Sequence, residues 1–403
     1  MKRVKFNDDW LFWNAVRPEE KEKVNLPHDA MQTEKRLPHM PGGAAAGYFP
    51  GGRYFYEKEF FGEWELKDKT LILEFQGVYM KSTVLLNGEK VGGRIYGYSR
   101  FYVDLTSKVR IGKINHIQVV VDNSQTPNSR WYSGSGIYRD VYLLIAEKRY
   151  IAPDAVFAYT DPTNAAMLHV HTDLALQAGE KIDATLYFEG QIVGHSQGCD
   201  STICIEKARY WSEEDQPLYE LHVSLRQKEK VLDTHIEHIG LRTLAWDAVH
   251  GIRINGKETK LRGGCIHHDN GILGACSYYE AEYRRIKKLK EMGFNAIRYS
   301  HNPAGQAFLD ACDALGMYVI VEAFDAWRGK MLDYDYGIYF NAEWEKDLRD
   351  MIKTARNHPS VIMYCIGNEI SDTGMKDGAV INQKLHEFCH ALDPTRPTMH
   401  AFN

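Results

Sequence analysis

The chain has no run of like charge: 49 Lys and Arg stand against 54 Asp and Glu, for a formal net charge of −5 over 403 residues. A nucleic-acid surface or a polybasic membrane patch is thereby excluded, and a neutral or small polar partner fits better. Long apolar runs are missing too. No segment approaches the ~20 residues of a membrane span, and the basic start MKRVKFNDDWLFW has no apolar stretch behind it of the kind an export signal carries. A cytoplasmic, membrane-free protein is expected. Cysteine is sparse: there are seven, none before Cys199 and none in C-x-x-C spacing, which argues against a disulfide framework and a closed zinc site. Core-forming material is plentiful instead. At 44% hydrophobic and 12% aromatic over 403 residues, the chain has enough for two or three domains.

From about Arg53 to Ile145, short β-type runs alternate with turn signals: YFYEKEF, TLILEF, STVLLNGEKVG, HIQVVVDN and IYRDVYLLI. Asn87-Gly88 between STVLL and EKVGG is a two-residue hairpin signal. These runs predict a β-sandwich over residues 1–148, with an irregular N-terminal arm. A second set, MLHVHTDLAL, KIDATLYFEG, STICIEKA, LYELHVSLRQ and THIEHIGLRT, predicts an immunoglobulin-like sandwich over residues 149–245. Within it, Gly194-His195-Ser196-Gln197-Gly198 fits the G-x-S-x-G elbow of esterases. That elbow must join a strand to a helix, and here β-type runs lie on both sides, so it reads as a turn.

Over residues 246–403 the pattern becomes βα. The runs GGCIHH, NAIRYS, MYVIVEAF, VIMYCIGNE and TMHAF are separated by amphipathic stretches at Tyr278–Met292, Ala304–Leu315, Glu343–Asn357 and Ala379–Leu392. Five strands and four helices predict a parallel sheet amounting to the first half of an eight-stranded barrel. Half a barrel leaves an open edge, so either the protein continues or this piece closes in another way; the sequence alone predicts an inactive fragment that either aggregates or keeps a molten last third while its two sandwiches fold.

Ligands gather at the C-terminal ends of parallel strands. Here those ends carry His267-His268-Asp269, Ser300-His301-Asn302, Glu322 with Asp325, and Asn368-Glu369. A single strand-end Asn or Asp commonly caps the next helix; four successive polar ends are harder to explain that way. A metal could use such a set, but zinc ligand spacing is missing. A carboxyl at the tip of the apolar strand VIMYCI suits a general acid, since burial would raise its pKa and keep a proton for a leaving group. Glu369 is that carboxyl. Asn368 beside it would hydrogen-bond a sugar hydroxyl.

The run RNHPSVIMYCIGNE resembles the acid/base signature of glycoside hydrolase family 2, the β-galactosidase, β-glucuronidase and β-mannosidase family. Further matches occur in the family's order: LPHDA at Leu26–Ala30, GYFPGGRYFYEKEF at Gly47–Phe60, GSGIYRDVYL at Gly134–Leu143, INGKETKLRGGCIHH at Ile254–His268 and MGFNAIRYSHNP at Met292–Pro303. The resemblance implies a jelly-roll sugar-binding domain, an immunoglobulin-like sandwich and a (β/α)8 TIM barrel. It implies Glu369 as acid/base, Asn368 on the sugar 2-hydroxyl, His301 as a substrate contact and His267 as its companion imidazole. Asp140, in YRDV, matches an aspartate near the 4- and 6-hydroxyls of galactose, whereas the glucuronidase aspartate is replaced near Arg130.

A β-linked glycoside is therefore the expected partner, with β-galactoside ahead of β-glucuronide. No cofactor is implied: the metal-binding acid and histidine of some galactosidases are not reproduced in VEAFDAWRGK. Family 2 enzymes are retaining, and the resemblance puts the nucleophile on a later barrel strand, beyond Asn403. A homo-oligomer is expected at full length. The reading from another class is a non-catalytic carbohydrate-binding or assembly fragment.

Overall fold

A computed structural model describes residues 1–401; Phe402, at the end of the TMHAF run, lies outside them. The first layer pair joins a six-stranded and a four-stranded antiparallel sheet. The six strands lie in the order Arg17–Val24, Trp10–Asn14, Arg53–Phe61, Ile114–Asp122, Ser82–Leu86, Glu89–Arg94. The four are Lys2–Lys5, Val141–Ala146, Thr70–Phe75 and Phe101–Asp104. Period-two alternation dictates the packing: Ile117, Val119 and Val121 point inward from one sheet and meet Leu71, Leu73 and Phe75 of the other in one core. At the predicted hairpin, Asn87 (φ 52°) and Gly88 (φ 86°) both adopt positive φ, as a type I′ turn requires.

The N-terminal arm is not irregular. It supplies three strands, Lys2–Lys5, Trp10–Asn14 and Arg17–Val24. Two of them are charged edge strands, KRVK and RPEEKEKV, mostly exposed. Charge protects such an edge from further pairing, and it also erases the apolar alternation by which a strand is recognised.

In the second layer pair, Val156–Thr160, Met167–Thr172 and Asp200–Cys204 face Gln191–Gln197, Glu180–Phe188, Tyr219–Gln227 and Lys230–Ile239. Val156, Leu168 and Ile203 pack against Ile182, Leu221 and Val223. Ser196 lies inside the strand Gln191–Gln197 and its Oγ meets Ser201 Oγ at 2.8 Å, so the G-x-S-x-G run does not form a strand-to-helix elbow. A small antiparallel sheet, Leu244–Asp247, Gly251–Ile254 and Lys257–Glu258, follows. Its first strand runs across position 245.

The parallel sheet is built from β1 (Gly263–Ile266), β2 (Ala296–Tyr299), β3 (Tyr318–Glu322), β4 (Val361–Cys365) and β5 (Thr398–Met399). They pair in chain order, every pair parallel. The helices between them are α1 (Tyr279–Glu291), α2 (Gln306–Leu315), α3 (Phe340–Ala355) and α4 (Gly378–Leu392). On α3, Trp344, Leu348, Met351, Ile352 and Ala355 are buried at three- and four-residue spacing, which places one stripe on the sheet. The strand order is that of a barrel wall; among the described residues the wall does not close. No described helix is long and apolar enough to cross a membrane.

The first sandwich docks onto the C-terminal end of this sheet. Tyr96 Oη donates to the carbonyl of Ala323 (2.7 Å), and Ser99 Oγ and Arg94 both reach the buried Asp347 of α3 (3.0 and 2.8 Å). Tyr79, Tyr98 and Trp131 of the sandwich share one core with Tyr299 and Phe324 of the barrel wall. That docking determines what stands over the strand ends.

Candidate active site

Beyond β4, the backbone of Ile366 is still held by β5, through a hydrogen bond to Met399 (2.8 Å). Gly367 is required by close approach: a Cβ there would lie 2.6 Å from the Ile370 side chain and 2.7 Å from the Trp327 indole nitrogen. Trp327 Nε1 donates to the Ile366 carbonyl (2.8 Å). The chain then turns so that Glu369 takes φ 43°, a left-handed conformation that costs a non-glycine residue roughly 1–3 kcal/mol and persists where surroundings over-determine it.

Glu369 is not buried. Its side chain is 45% exposed, and Oε2 accepts from Arg130 Nη1 at 2.6 Å. The expectation of a buried carboxyl is corrected accordingly: the strand is apolar, but the carboxylate at its tip is half-exposed and paired with a guanidinium. Among the described residues, Oε1 has no hydrogen-bond partner.

Arg130 also clamps Asp325 through Nε (2.9 Å) and Nη2 (2.5 Å). Asp325 Oδ1 in turn accepts from Asn368 Nδ2 (2.9 Å), and Asn368 Oδ1 accepts from Arg298 Nη2 (2.9 Å). Arg298 pairs with the fully buried Glu322, whose other oxygen meets His301 Nδ1 at 2.7 Å. His267 lies edge to face with His301 (5.5 Å between centroids) and stacks on Trp131 (5.0 Å). Burial, followed by the nearby His301, holds the His267 imidazole below its ordinary pKa. The arrangement is one connected polar net that joins Glu369, Asn368 and His301, with His267 packed against its edge through ring contacts. It leaves Asn368 one amide hydrogen for a ligand, and His301 its Nε2.

Of the other predicted strand-end groups, His268, Ser300 and Asn302 are buried and Asp269 is half-buried. His268 is 1% exposed, bonds the Ser133 carbonyl (3.0 Å) and is pushed down to about 3 by burial. Asp140 is not brought to this net: its carboxylate takes hydrogen bonds from Asn7 (2.7 Å) and Tyr142 (2.8 Å), with Lys5 nearby, at the sandwich edge. Sequence reasoning missed Arg130 and Trp131 as site residues. They sit in NSRWYSG, which has no helical or strand periodicity; an Arg-Trp pair in such a loop was the available signal. The described residues whose ligand atoms cluster closely enough for a metal are Asp310, Asp313 and His358. Asp313 there is already engaged by His358 and by the Ser360 amide, before β4 and away from the net.

Two β-sandwiches ahead of a parallel βα wall, with acids, amides and imidazoles at the wall's C-terminal ends, define a multidomain protein of the TIM-barrel class. The family model "Glycosyl hydrolases family 2, TIM barrel domain" matches residues 249–402, and "Glycosyl hydrolases family 2" matches residues 155–242. A β-galactosidase of Bacteroides ovatus is 34% identical over 98% of this chain and 53% of its own length. A β-glucuronidase of Bacteroides fragilis is 28% identical over 99% of this chain and 61% of its own. The crystal structure of a glycosyl hydrolase family 2 member from Bacteroides cellulosilyticus superposes with a TM-score of 0.94 at 35% identity, covering 100% of this chain and 56% of that one. The chain belongs to glycoside hydrolase family 2, and it spans a little over half the length of these relatives.

Proposed function

We propose that the chain carries the acid/base side of a retaining β-glycosidase acting on terminal β-galactosides. The observation that carries this reading is Glu369: a half-exposed carboxylate at a barrel strand end, in a left-handed turn, with one oxygen held by Arg130. Such a group protonates the departing glycosidic oxygen and then, as a carboxylate, draws the proton from the incoming water. Asn368 and His301 bind the sugar from the same net, with Asn368 donating its remaining amide hydrogen to the 2-hydroxyl. The nucleophile comes from a strand after β5, roughly 5 Å from Glu369 in a retaining pair. The first sandwich acts as a jelly-roll sugar-binding domain and the second as an immunoglobulin-like spacer.

Among the described residues, both guanidinium groups of the net, Arg130 and Arg298, pair with carboxylates, which supports a neutral sugar at this rim. The test is kcat/KM of the full-length protein for nitrophenyl β-galactoside, β-glucuronide and β-mannoside. The galactoside should lead by at least about tenfold, or ~1.4 kcal/mol of transition-state binding. A glucuronide preference would replace galactose in this reading, and turnover of none of the three would return the chain to the carbohydrate-binding class. His301→Ala should lower kcat/KM for the preferred substrate by about 10²-fold through lost positioning. Steady-state kinetics with unchanged circular dichroism would separate that loss from misfolding.

A further inference from the structure

At the opposite end of the same strands, a cavity of about 270 Å³ opens between the second sandwich and the N-terminal face of the parallel sheet. Its wall includes Arg242, Arg356 and Arg396 with Tyr159, Thr160 and Trp246, and contains no aspartate or glutamate. Arg242 is 7% exposed and makes no ion pair among the described residues. Its Nε and Nη2 donate to the carbonyls of Pro359 and Val361, both at 2.6 Å. Its Nη1 has no protein acceptor and is not among the sealed polar atoms. Arg356, 6% exposed, donates to the carbonyls of Asp154 (2.8 Å) and Leu392 (3.4 Å) and also lacks a carboxylate, with its buried Nε unpaired. Arg396 alone is neutralised, by Asp393 at 2.7 Å.

Part of this is structural. Arg242 and Arg396 both grip the carbonyl of Val361, where β4 begins. Clamping a carbonyl uses N–H groups but does not offset charge, and a buried cation without a counter-ion is costly. Burial and the neighbouring Arg396 push Arg242 down to about 9. Three guanidinium groups share one carboxylate around a solvent-connected space. That space is smaller than the ~300–1,000 Å³ of drug-sized ligand sites, which suits a small ion.

We propose that this cavity binds a small oxyanion of the phosphate or sulfate class, free or carried on a sugar, with Arg242 as its principal donor. Planar guanidinium forks match the oxygens of such anions. Trp246, 43% exposed, would offer a face to an attached sugar ring.

Calorimetry of the full-length protein with inorganic phosphate, against sodium chloride at equal ionic strength, tests this. Saturable one-to-one binding at millimolar phosphate or below is expected, weakened at least about tenfold in Arg242→Met. Where Arg242→Met does not fold, Arg356→Met carries the same expectation. Heat that follows ionic strength alone, or binding unchanged in both variants, would overturn the proposal. Hexose 6-phosphate bound more tightly than phosphate, and weakened by Trp246→Ala, would identify the sugar-borne anion; equal affinities would identify the free one.

Discussion

Replacing Glu369 with Gln should lower kcat/KM for galactosides with alkyl leaving groups by about 10²–10⁴-fold, the usual contribution of a positioned general acid. A dinitrophenyl galactoside should lose far less in the step that expels the leaving group, because that phenol departs without a proton. The two substrates together identify the role. A merely structural Glu369, holding Arg130 in place, would depress both equally, and the acid assignment would then be wrong. Gln retains an oxygen for Arg130 Nη1, so the ion-pair geometry is perturbed less than Ala would perturb it. Added azide supplies a further check: a small anionic nucleophile bypasses the missing base in the second half-reaction and should restore turnover of the activated substrate.

The largest stability effect is expected at Asp29, in the LPHDA run. Its carboxylate is 1% exposed and accepts four hydrogen bonds: from the amides of Met31 (3.0 Å), Ser135 (3.0 Å) and Ala275 (2.8 Å) and from Tyr132 Oη (2.6 Å). Ala275 follows β1, so this one side chain ties the first sandwich to the barrel wall. Asp29→Ala strands three buried amides and a phenol. Hydrogen bonds to a charged group contribute about 1.5–3 kcal/mol each and add incompletely, so a loss of about 3–5 kcal/mol is expected. Asp29→Asn keeps one acceptor oxygen and should lose markedly less. Urea denaturation followed by tryptophan fluorescence, with the midpoint shift compared between the two variants, checks the ordering.

Much of the barrel wall was legible because its signals are local. The stretch Tyr278–Met292 predicted a helix, and the helix runs from Tyr279 to Glu291; Ala379–Leu392 predicted one that runs from Gly378 to Leu392. Apolar periodicity survives there because each helix buries one stripe and exposes the rest. The strands of the N-terminal arm were illegible for the converse reason, since an edge strand that buries little has nothing to alternate. At the site, the strand-end residues could be read because a parallel sheet brings successive strand tips together. The exposure of Glu369 could not, because it depends on Arg130, which lies 239 positions away in the chain. The burial of His268 depends likewise on the Ser133 carbonyl. Contacts that join two domains leave no period in either sequence.

Arg130 and Trp131 reach the barrel's strand ends from a loop of the first sandwich. The polar net at the barrel's strand ends is thus completed by a segment that lies 195 positions before Asp325 and 239 before Glu369. Residues 128–133 therefore cannot diverge freely: Arg130 clamps Asp325 and Glu369, Trp131 stacks on His267, Tyr132 donates to Asp29 and the Ser133 carbonyl bonds His268. A graft of that loop between relatives is expected to disturb the Asp325 and Glu369 carboxylates along with the cleft, so loop and wall have to change together.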